Sequence, residues 1–271
     1  LPWAYPYWVQ GKDCSTCFCC PTQDTADYYL SYLNLAAEQW NLQFDYIGAP
    51  QNEKNMVYPG DIDWITYTLY PTLASAGFDL PIIAPDGGYH AWDVFEHLDE
   101  DPNYTNVIKM VGGHRIDQKD RWPTQAMIDS EMPLWCSEDS VGNGTWAGAK
   151  DIVRRMNLLY IKGKVTNMIV WPTVDGCYDG VHCTHTGMMQ AQTPWSGFYK
   201  VYPSIWTIAH YTQFTEVGWK YLDNACGLLS GNGNYVTLKD PDSNNFSIII
   251  YSENPETIEF NLNGLSPDNL R

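Results

Sequence analysis

The chain of 271 residues is long enough for one large domain or two smaller ones, and either would bury a sizeable core. Its formal net charge is −17, with 32 acidic against 15 basic side chains, so it would repel a nucleic-acid backbone at long range. No stretch approaches the roughly 18 uninterrupted apolar residues that a membrane-spanning helix needs. These properties argue against nucleic acid as a partner and predict no transmembrane segment.

Cysteines and glycosylation sequons indicate the compartment. The chain has eight cysteines and three Asn-x-Ser/Thr sequons, at Asn103, Asn143 and Asn245. Disulfides persist in oxidising compartments, and N-glycans are added in the secretory pathway. We therefore predict a lysosomal or secreted protein that is glycosylated at these asparagines. No signal peptide opens the chain, so we expect an interior piece of a longer sequence.

Short apolar, β-rich runs alternate with helical stretches along the first two thirds of the chain. The predicted strands are 44–48, 81–84, 107–112, 133–137 and 167–171, and amphipathic helices are clearest at 24–40 and 146–162. This alternation, with continuously apolar strands, predicts a parallel sheet covered by helices, either doubly wound or closed as a barrel. No glycine-rich phosphate loop follows a strand, which argues against the nucleotide-binding doubly wound fold.

The pattern changes after about Gly231. Three β-rich runs, 235–240, 246–252 and 257–262, are separated by Gly, Asn, Asp and Pro. Such runs predict antiparallel strands of a second module. We therefore predict two domains, an α/β catalytic domain over 1–230 and an incomplete β-rich module over 231–271.

Two glutamates each follow a predicted strand. Glu53 comes after the strand at 44–48, and Glu138 directly follows the strand at 133–137. Barrel enzymes display catalytic groups at the carboxyl ends of their strands. A single glutamate there is more often a solvated loop residue, but the two together predict a catalytic site.

Several short segments spread over residues 1–251 carry a recognisable pattern. They are Leu1-Pro-Trp3, Asp45-Tyr-Ile-Gly48, Asn52-Glu53, Val111-Gly-Gly-His114, Leu134-Trp-Cys-Ser-Glu-Asp139, Gln190-Ala-Gln-Thr-Pro-Trp-Ser-Gly197, Thr212-Gln-Phe-Thr215 and Gly218-Trp219. In this order and over this length they resemble the galactocerebrosidase family. The resemblance implies a (β/α)8 TIM barrel followed by the start of a β-sandwich domain.

The same resemblance implies which part of the barrel is present. Strands 3 to 8 would lie in this chain, and the first two would be missing from it. A barrel without two strands leaves sheet edges exposed. We therefore expect a companion polypeptide, or a missing N-terminal segment, to complete the barrel.

Roles follow from the matching motifs. The resemblance implies a retaining glycosidase that cleaves a β-galactoside or galactolipid without a metal or organic cofactor, with Glu53 as general acid/base and Glu138 as nucleophile. The implied substrate-binding residues are Asn52, Trp3, Trp171 and His114. A retaining mechanism needs its two carboxyl groups about 5 to 5.5 Å apart. For His114 a structural role is an equal alternative.

Two departures from the family pattern leave the sugar open. Val141 stands where the family carries a hydroxyl residue, three positions after the nucleophile, and residues 250–271 offer no clear counterpart of its sandwich arginine. One alternative is therefore a retaining hydrolase for another β-linked sugar, such as glucose, xylose or fucose. A second alternative is a catalytically silent, secreted carbohydrate-binding or structural homologue.

The cysteines form one dense cluster and four scattered positions. The cluster is Cys14, Cys17, Cys19 and Cys20, and the others are Cys136, Cys177, Cys183 and Cys226. Four sulfurs could chelate a soft metal, but no second zinc half-site follows closely, and the Cys183/His185 pair is too slight to serve as one. We predict disulfides of undetermined connectivity, with Cys136 as a packed thiol, and no metal site.

Overall fold

The computed structural model describes residues 6, 8–9, 21–49, 59–88, 91–181 and 183–261. Its α-helices are α1 (Gln23–Trp40), α2 (Pro59–Trp64), α3 (Tyr70–Ser75), α4 (Pro102–Val107), α5 (Gln125–Asp129), α6 (Trp146–Gly163) and α7 (Ser204–Thr212). Its strands are β1 (Ile47–Gly48), β2 (Ile82–Gly87), β3 (Ile108–His114), β4 (Leu134–Asp139), β5 (Asn167–Val170), β6 (Val174–Cys177), β7 (Met189–Gln192), β8 (Tyr199–Val201), β9 (Lys220–Tyr221), β10 (Gly227–Leu228), β11 (Asn234–Lys239) and β12 (Phe246–Tyr251). A π-helical turn, Ile65–Leu69, joins α2 to α3.

A five-stranded parallel sheet is the centre of the molecule. Its strands neighbour one another in chain order, from β1 to β5, and every pair is parallel. Parallel neighbours need long crossover connections, and helices supply most of them here. All five predicted strands are therefore confirmed as neighbours in one parallel sheet.

Strands β2, β3 and β4 extend two or three residues beyond their predicted ends, and the extension of β2 is the least expected. The predicted strand 81–84 ends at Ala84, before Pro85 and Gly87, two residue types that ordinarily interrupt strands. In the sheet β2 continues through both, and Asp86 and Gly87 pair with Gly112 and Gly113 of β3. The extension brings the Asp86 carboxylate to the carboxyl edge of the sheet.

The main hydrophobic core packs this sheet against the helices of residues 23–75, and α4, α5 and α6 also contribute to it. Helix α1 buries Tyr29 and Leu33, four residues apart on one face, against Ile65 and Leu69 of the π-helical turn. The helix ends at Asn41, whose left-handed conformation turns its N–H back to the carbonyl groups of the last turn. The helix predicted at 24–40 is confirmed. Among the described residues, no helix is both long and apolar enough to cross a bilayer.

Two smaller sheets follow the parallel one. In the first, β7 pairs with β6 in parallel and with β8 in antiparallel orientation. In the second, β11 lies between β10 and β12 and also pairs with β9, all antiparallel. The predicted strands at 235–240 and 246–252 are confirmed as β11 and β12. Residues 257–261 form no strand, since no neighbouring strand among the described residues pairs with their backbone.

Helix α6 lies between the parallel sheet and the second antiparallel sheet. Its Leu159 belongs to the main core, whereas its Val153 packs with Val236 and Ile249 of the antiparallel sheet. Strands β9 and β10 of this sheet precede residue 231. The domain boundary predicted near residue 230 stays a prediction.

A buried polar cluster fixes α6 to its neighbours. Asn157 of α6 is fully buried, and its amide donates to Asn234 Oδ1 at 2.8 Å and to the carbonyl of Ile249 at 3.2 Å. The hydroxyl of Tyr211 on α7 donates to Asn157 Oδ1. One side chain therefore links two helices and two strands.

We expect Asn157→Leu to lower the free energy of unfolding by about 2 to 4 kcal/mol, because the Tyr211 hydroxyl and the Ile249 carbonyl would lose a buried partner. Chemical denaturation, followed by tryptophan fluorescence, measures the change. The matched control is Asn224→Leu at an exposed position, which should change stability by no more than about 0.5 kcal/mol. Equal effects of the two substitutions would contradict this role.

Candidate active site

Strand β4 carries Glu138 to the carboxyl edge of the parallel sheet. The strand is buried between β3 and β5, and Glu138 itself is only 8% exposed. In the register of β3 and β4, His114 is the residue opposite Glu138. The carbonyl of Glu138 accepts a hydrogen bond from the N–H of Arg115 at 2.8 Å, which fixes the strand ends together.

Three neighbouring strands each contribute one ionisable side chain, and we call these three the edge row: Asp86, His114 and Glu138. Asp86 Oδ1 lies 2.8 Å from His114 Nε2, and His114 Nδ1 lies 3.8 Å from Glu138 Oε1. All three side chains are almost fully buried. A carboxylate that holds one nitrogen of an imidazole fixes the ring orientation and directs the other nitrogen. Here that other nitrogen faces Glu138.

A guanidinium completes the surroundings of Glu138. Arg115 Nη2 donates to Glu138 Oε1 at 3.3 Å and remains about one third exposed, while the carboxylate side chain is 11% exposed. The Glu138 carboxylate is therefore slightly exposed, and Arg115 and His114 both approach its Oε1. Arg115 and His114 thus restrict the orientation of this carboxylate.

A glycine permits the close approach of β3 and β4 beside this site. A Cβ atom on Gly112 would lie 2.6 Å from Ser137 Oγ and 2.9 Å from Ile83 Cγ2, closer than real Cβ contacts. No larger residue fits without moving a strand. The edge row therefore depends on a residue without a side chain.

The segments that follow β4 and β5 meet at the same edge. The N–H of Trp171 donates to the carbonyl of Asp139 at 2.7 Å, and the Trp171 side chain is 45% exposed. Val141 is buried, and its N–H donates to the carbonyl of Thr186, so the loop before β7 is attached next to Glu138. Trp171 is thus an open aromatic surface on the rim that carries Glu138.

Behind Glu138, the next residue belongs to a buried ion pair. The carboxylate of Asp139 accepts from the guanidinium of Arg155 on α6, and both side chains are at most 1% exposed. Burial raises the pKa of the Asp139 carboxyl above its usual range, and the Arg155 guanidinium opposes that rise. Gln118 Nε2 also donates to this carboxylate, at 3.0 Å.

The remaining site residues predicted from sequence lie outside the described residues. They are Trp3, Asn52 and Glu53. Strand β1 ends five residues before Glu53 and pairs with β2 at one end of the strand order. The distance between the Glu53 and Glu138 carboxyl groups, and the contacts of Asn52 and Trp3, stay predictions.

The structure pairs two of the cysteines. Cys177 and Cys183 form a disulfide that closes the turn between β6 and β7. Cys183 therefore cannot form a thiolate metal site with His185. Asp175 lies near both sulfurs, and this is the only grouping of potential metal ligands among the described residues. The cluster at residues 14–20 lies outside them.

Cys136 is a free thiol in the interior of β4, as predicted. It is fully buried, and burial raises the pKa of its thiol far above the ordinary value. A thiol in this environment is not a nucleophile. The chemistry at the end of β4 therefore rests on carboxylates.

All three sequon asparagines are exposed. Asn103 lies in α4, Asn143 in the loop between β4 and α6, and Asn245 in the turn before β12. Each can receive a glycan without disturbing the core. Glycosylation at the three positions stays a prediction.

Sequence reasoning missed three residues of the site. Asp86 could have been found by the rule that identified Glu138, a carboxylate at the end of a strand, had the strand been extended past Pro85. Arg115 directly follows His114 in the sequence, but nothing in the pattern shows where its side chain points. Arg155 lies in the middle of a predicted amphipathic helix, where an arginine is ordinarily exposed.

Sequence comparison places the chain among glycosidases. The model of the family described as "Glycosyl hydrolase family 59" matches residues 1–213. Galactocerebrosidase from Danio rerio is 35% identical over 257 residues, which are 92% of this chain and 36% of that protein. The human galactocerebrosidase is 33% identical over 261 residues, 92% of this chain and 34% of that protein. The chain thus spans about a third of the length of the curated relatives it matches.

Solved structures share the fold at low sequence identity. SrfJ from Salmonella typhimurium gives a TM-score of 0.59 at 16% identity, covering 84% of this chain and 59% of that one. The family 30 subfamily 8 xylanase Xyn30A from Clostridium acetobutylicum gives 0.53 at 13%, covering 79% and 55%. A family 39 β-xylosidase from Caulobacter crescentus gives 0.51 at 14%, covering 80% and 54%. The five-stranded parallel sheet is therefore the half-barrel of a glycoside hydrolase fold.

We expect Cys136 to resist alkylation in the native protein at mildly alkaline pH, because burial keeps its thiol protonated and inaccessible. Peptide mass mapping after iodoacetamide treatment measures this. Unfolding before alkylation should label Cys136 fully, whereas Cys177 and Cys183 should be labelled only after reductant has opened their disulfide. Rapid native labelling of Cys136 would contradict the packing of β4.

Proposed function

Because the chain belongs to glycosyl hydrolase family 59, we propose that it is the catalytic part of a retaining β-glycoside hydrolase. In this proposal the substrate is a β-galactoside or galactolipid, as the name of the galactocerebrosidase relatives suggests. The reaction proceeds by double displacement through a glycosyl-enzyme intermediate. It needs no metal or organic cofactor.

One observation carries the proposal, the edge row with Arg115 at the carboxyl edge of the parallel sheet. Glu138 is a slightly exposed carboxylate held by Arg115 at 3.3 Å and faced by His114 at 3.8 Å. A carboxylate nucleophile needs this combination, since it must stay ionised, keep one orientation and remain open to the substrate on one side. Its place at the end of a barrel strand is where such enzymes carry their catalytic groups.

The proposed first step joins Glu138 to the sugar. An oxygen of the Glu138 carboxylate attacks the anomeric carbon, the bond to the leaving oxygen breaks, and Glu53 gives that oxygen a proton. In the second step Glu53 takes a proton from water, the water oxygen attacks the anomeric carbon, and the Glu138 carboxylate leaves. The configuration is retained because the carbon is inverted twice.

In this proposal, further residues orient the Glu138 carboxylate and bind the sugar. Asp86 and His114 orient the Glu138 carboxylate, as Arg115 does. The half-exposed Trp171 offers an aromatic face on which a sugar ring can stack. Asn52 and Trp3 complete the proposed sugar contacts.

The proposed environment is the lysosome or the extracellular space. Three exposed sequon asparagines and a disulfide between Cys177 and Cys183 suit a protein that matures in the secretory pathway. We further propose a catalytic domain of the (β/α)8 type over residues 1–230, followed by a β-sandwich module over 231–271.

The identity of residue 141, a valine, favours a second candidate substrate for the same hydrolytic reaction. Val141 is a buried apolar residue three positions after Glu138, next to the proposed sugar pocket. The family resemblance implies a hydroxyl residue at this position, so another β-linked sugar is the alternative substrate. A panel of aryl β-glycosides of galactose, glucose, xylose and fucose distinguishes the candidates by kcat/KM. A folded protein that hydrolyses none of them, and still binds sugar, would be the silent homologue.

We expect Glu138→Gln to lower kcat for an activated aryl β-galactoside by about 10³-fold or more, because an amide cannot form the glycosyl-enzyme ester. A 2-deoxy-2-fluoro galactosyl fluoride should label the unsubstituted protein covalently, and peptide mass spectrometry should find the label on Glu138. The control is Glu96→Gln, at an exposed glutamate without a role in the site, which should retain full activity. Labelling of another residue would refute the nucleophile assignment.

For Glu53→Gln we expect a loss that depends on the leaving group. Substrates with poor leaving groups should lose about 10²-fold or more in kcat/KM, since they need the proton that Glu53 supplies. Dinitrophenyl glycosides should lose far less in glycosylation, and added azide should accelerate turnover and give the β-glycosyl azide. A uniform loss for all leaving groups would show that Glu53 is not the general acid.

A further inference from the structure

The backbone just after the proposed nucleophile is held by three different elements. The carbonyl of Glu138 accepts from the Arg115 N–H after β3, and the carbonyl of Asp139 accepts from the Trp171 N–H after β5. The carbonyl of Ser140 accepts from Nη2 of Arg155 on α6. Three successive carbonyl groups are thus fixed from both neighbouring strands and from the helix behind them.

Arg155 makes the largest contribution to this arrangement. It is fully buried, and besides the Ser140 carbonyl it binds the Asp139 carboxylate through Nη1 and Asp151 through Nε at 3.0 Å. The Asp139 carboxylate also accepts from the Ser140 N–H at 2.7 Å and from Gln118. The planar guanidinium therefore fixes both the side chain and the backbone of the two residues after Glu138.

A contribution to stability does not by itself explain the buried ion pair between Arg155 and Asp139. Two charges lose their hydration when they are buried, and apolar residues of similar volume often give a protein that is equally stable or more so. The N–H donors of a guanidinium, in contrast, form a planar fork, and this fork fixes the orientation of the groups that accept from it, which apolar contacts do not. Asp139 directly follows Glu138 in β4, so fixing the Asp139 side chain and the Ser140 carbonyl restricts the backbone that carries Glu138.

We propose that Arg155 is a positioning residue for the nucleophile, acting through Asp139 and the Ser140 carbonyl. The proposal rests on the proposed function, in which Glu138 attacks the anomeric carbon. A displacement of reacting groups by about 1 Å can cost about 10²-fold in rate. Loss of the fork should therefore lower the rate of attack by about 10- to 100-fold and leave substrate binding almost unchanged.

The test compares the same change at adjacent arginines. Arg155→Lys keeps the charge but removes the fork, whereas Arg154→Lys changes a partly exposed arginine that pairs with Asp117 and Asp151. We expect Arg155→Lys to lower kcat for an aryl β-galactoside and the labelling rate of Glu138 by the same factor, with KM little changed. Arg154→Lys should behave like the unsubstituted protein.

A double substitution separates position from stability. Asp139→Leu with Arg155→Met removes both charges and should keep the melting temperature, yet it should show the same loss of kcat and of labelling rate. Unchanged rates in a folded double variant, or in Arg155→Lys, would overturn the proposal. Should the double variant fail to fold, the rates of Arg155→Lys decide alone.

The fluorosugar also separates this proposal from the one on which it rests. If the unsubstituted protein is not labelled at Glu138, the proposed function fails, and the positioning role falls with it. If the unsubstituted protein is labelled and the Arg155→Lys protein is labelled equally fast, only the positioning role is wrong.

Discussion

Parallel pairing of β2, β3 and β4 is the constraint on which the site depends. Strands that run in the same direction end at the same edge, so residues 28 and 24 positions apart, from Asp86 to His114 and from His114 to Glu138, become neighbours there. His114 is directly opposite Glu138, and their contact is 3.8 Å, whereas Asp86 pairs with Gly112 and reaches His114, two residues further along β3, at 2.8 Å. A slip of one residue in either pair would turn a side chain to the other face of the sheet and separate the three groups.

Helix α6 contacts both the parallel sheet and the second antiparallel sheet. It carries Arg155 towards the end of β4 and Asn157 towards the antiparallel sheet, so one helix aligns the strand that bears Glu138 and attaches the β-rich segment. Both side chains are fully buried and hydrogen-bonded. Polar groups in such positions are costly when misplaced, which restricts the helix to one position against both sheets. The geometry of the site and the attachment of the β-rich segment are therefore coupled through one element.

The access side of the site is less enclosed than its base. Trp171 is half-exposed at the rim, and Trp195, Phe198 and Tyr199 are more than 60% exposed on the adjoining segment of β7 and β8. The base of the site, in contrast, consists of residues that are almost fully buried. A buried base with an exposed aromatic rim suits a glycosidase, because a sugar ring can stack on an exposed aromatic face.

The sequence by itself determined the class of fold, the five parallel strands, the long helices α1 and α6, and Glu138 at the end of a strand. These features can be predicted from local sequence patterns, because apolar runs, helical periodicity and short motifs depend on residues that are close in the chain. Only the tertiary structure decided that Asp86 stays within its strand, that His114 lies between two carboxylates, and that Arg155 turns inward to Asp139. Each of these depends on contacts between residues 15 or more positions apart, where pairing and burial override the local preferences of proline, histidine and arginine.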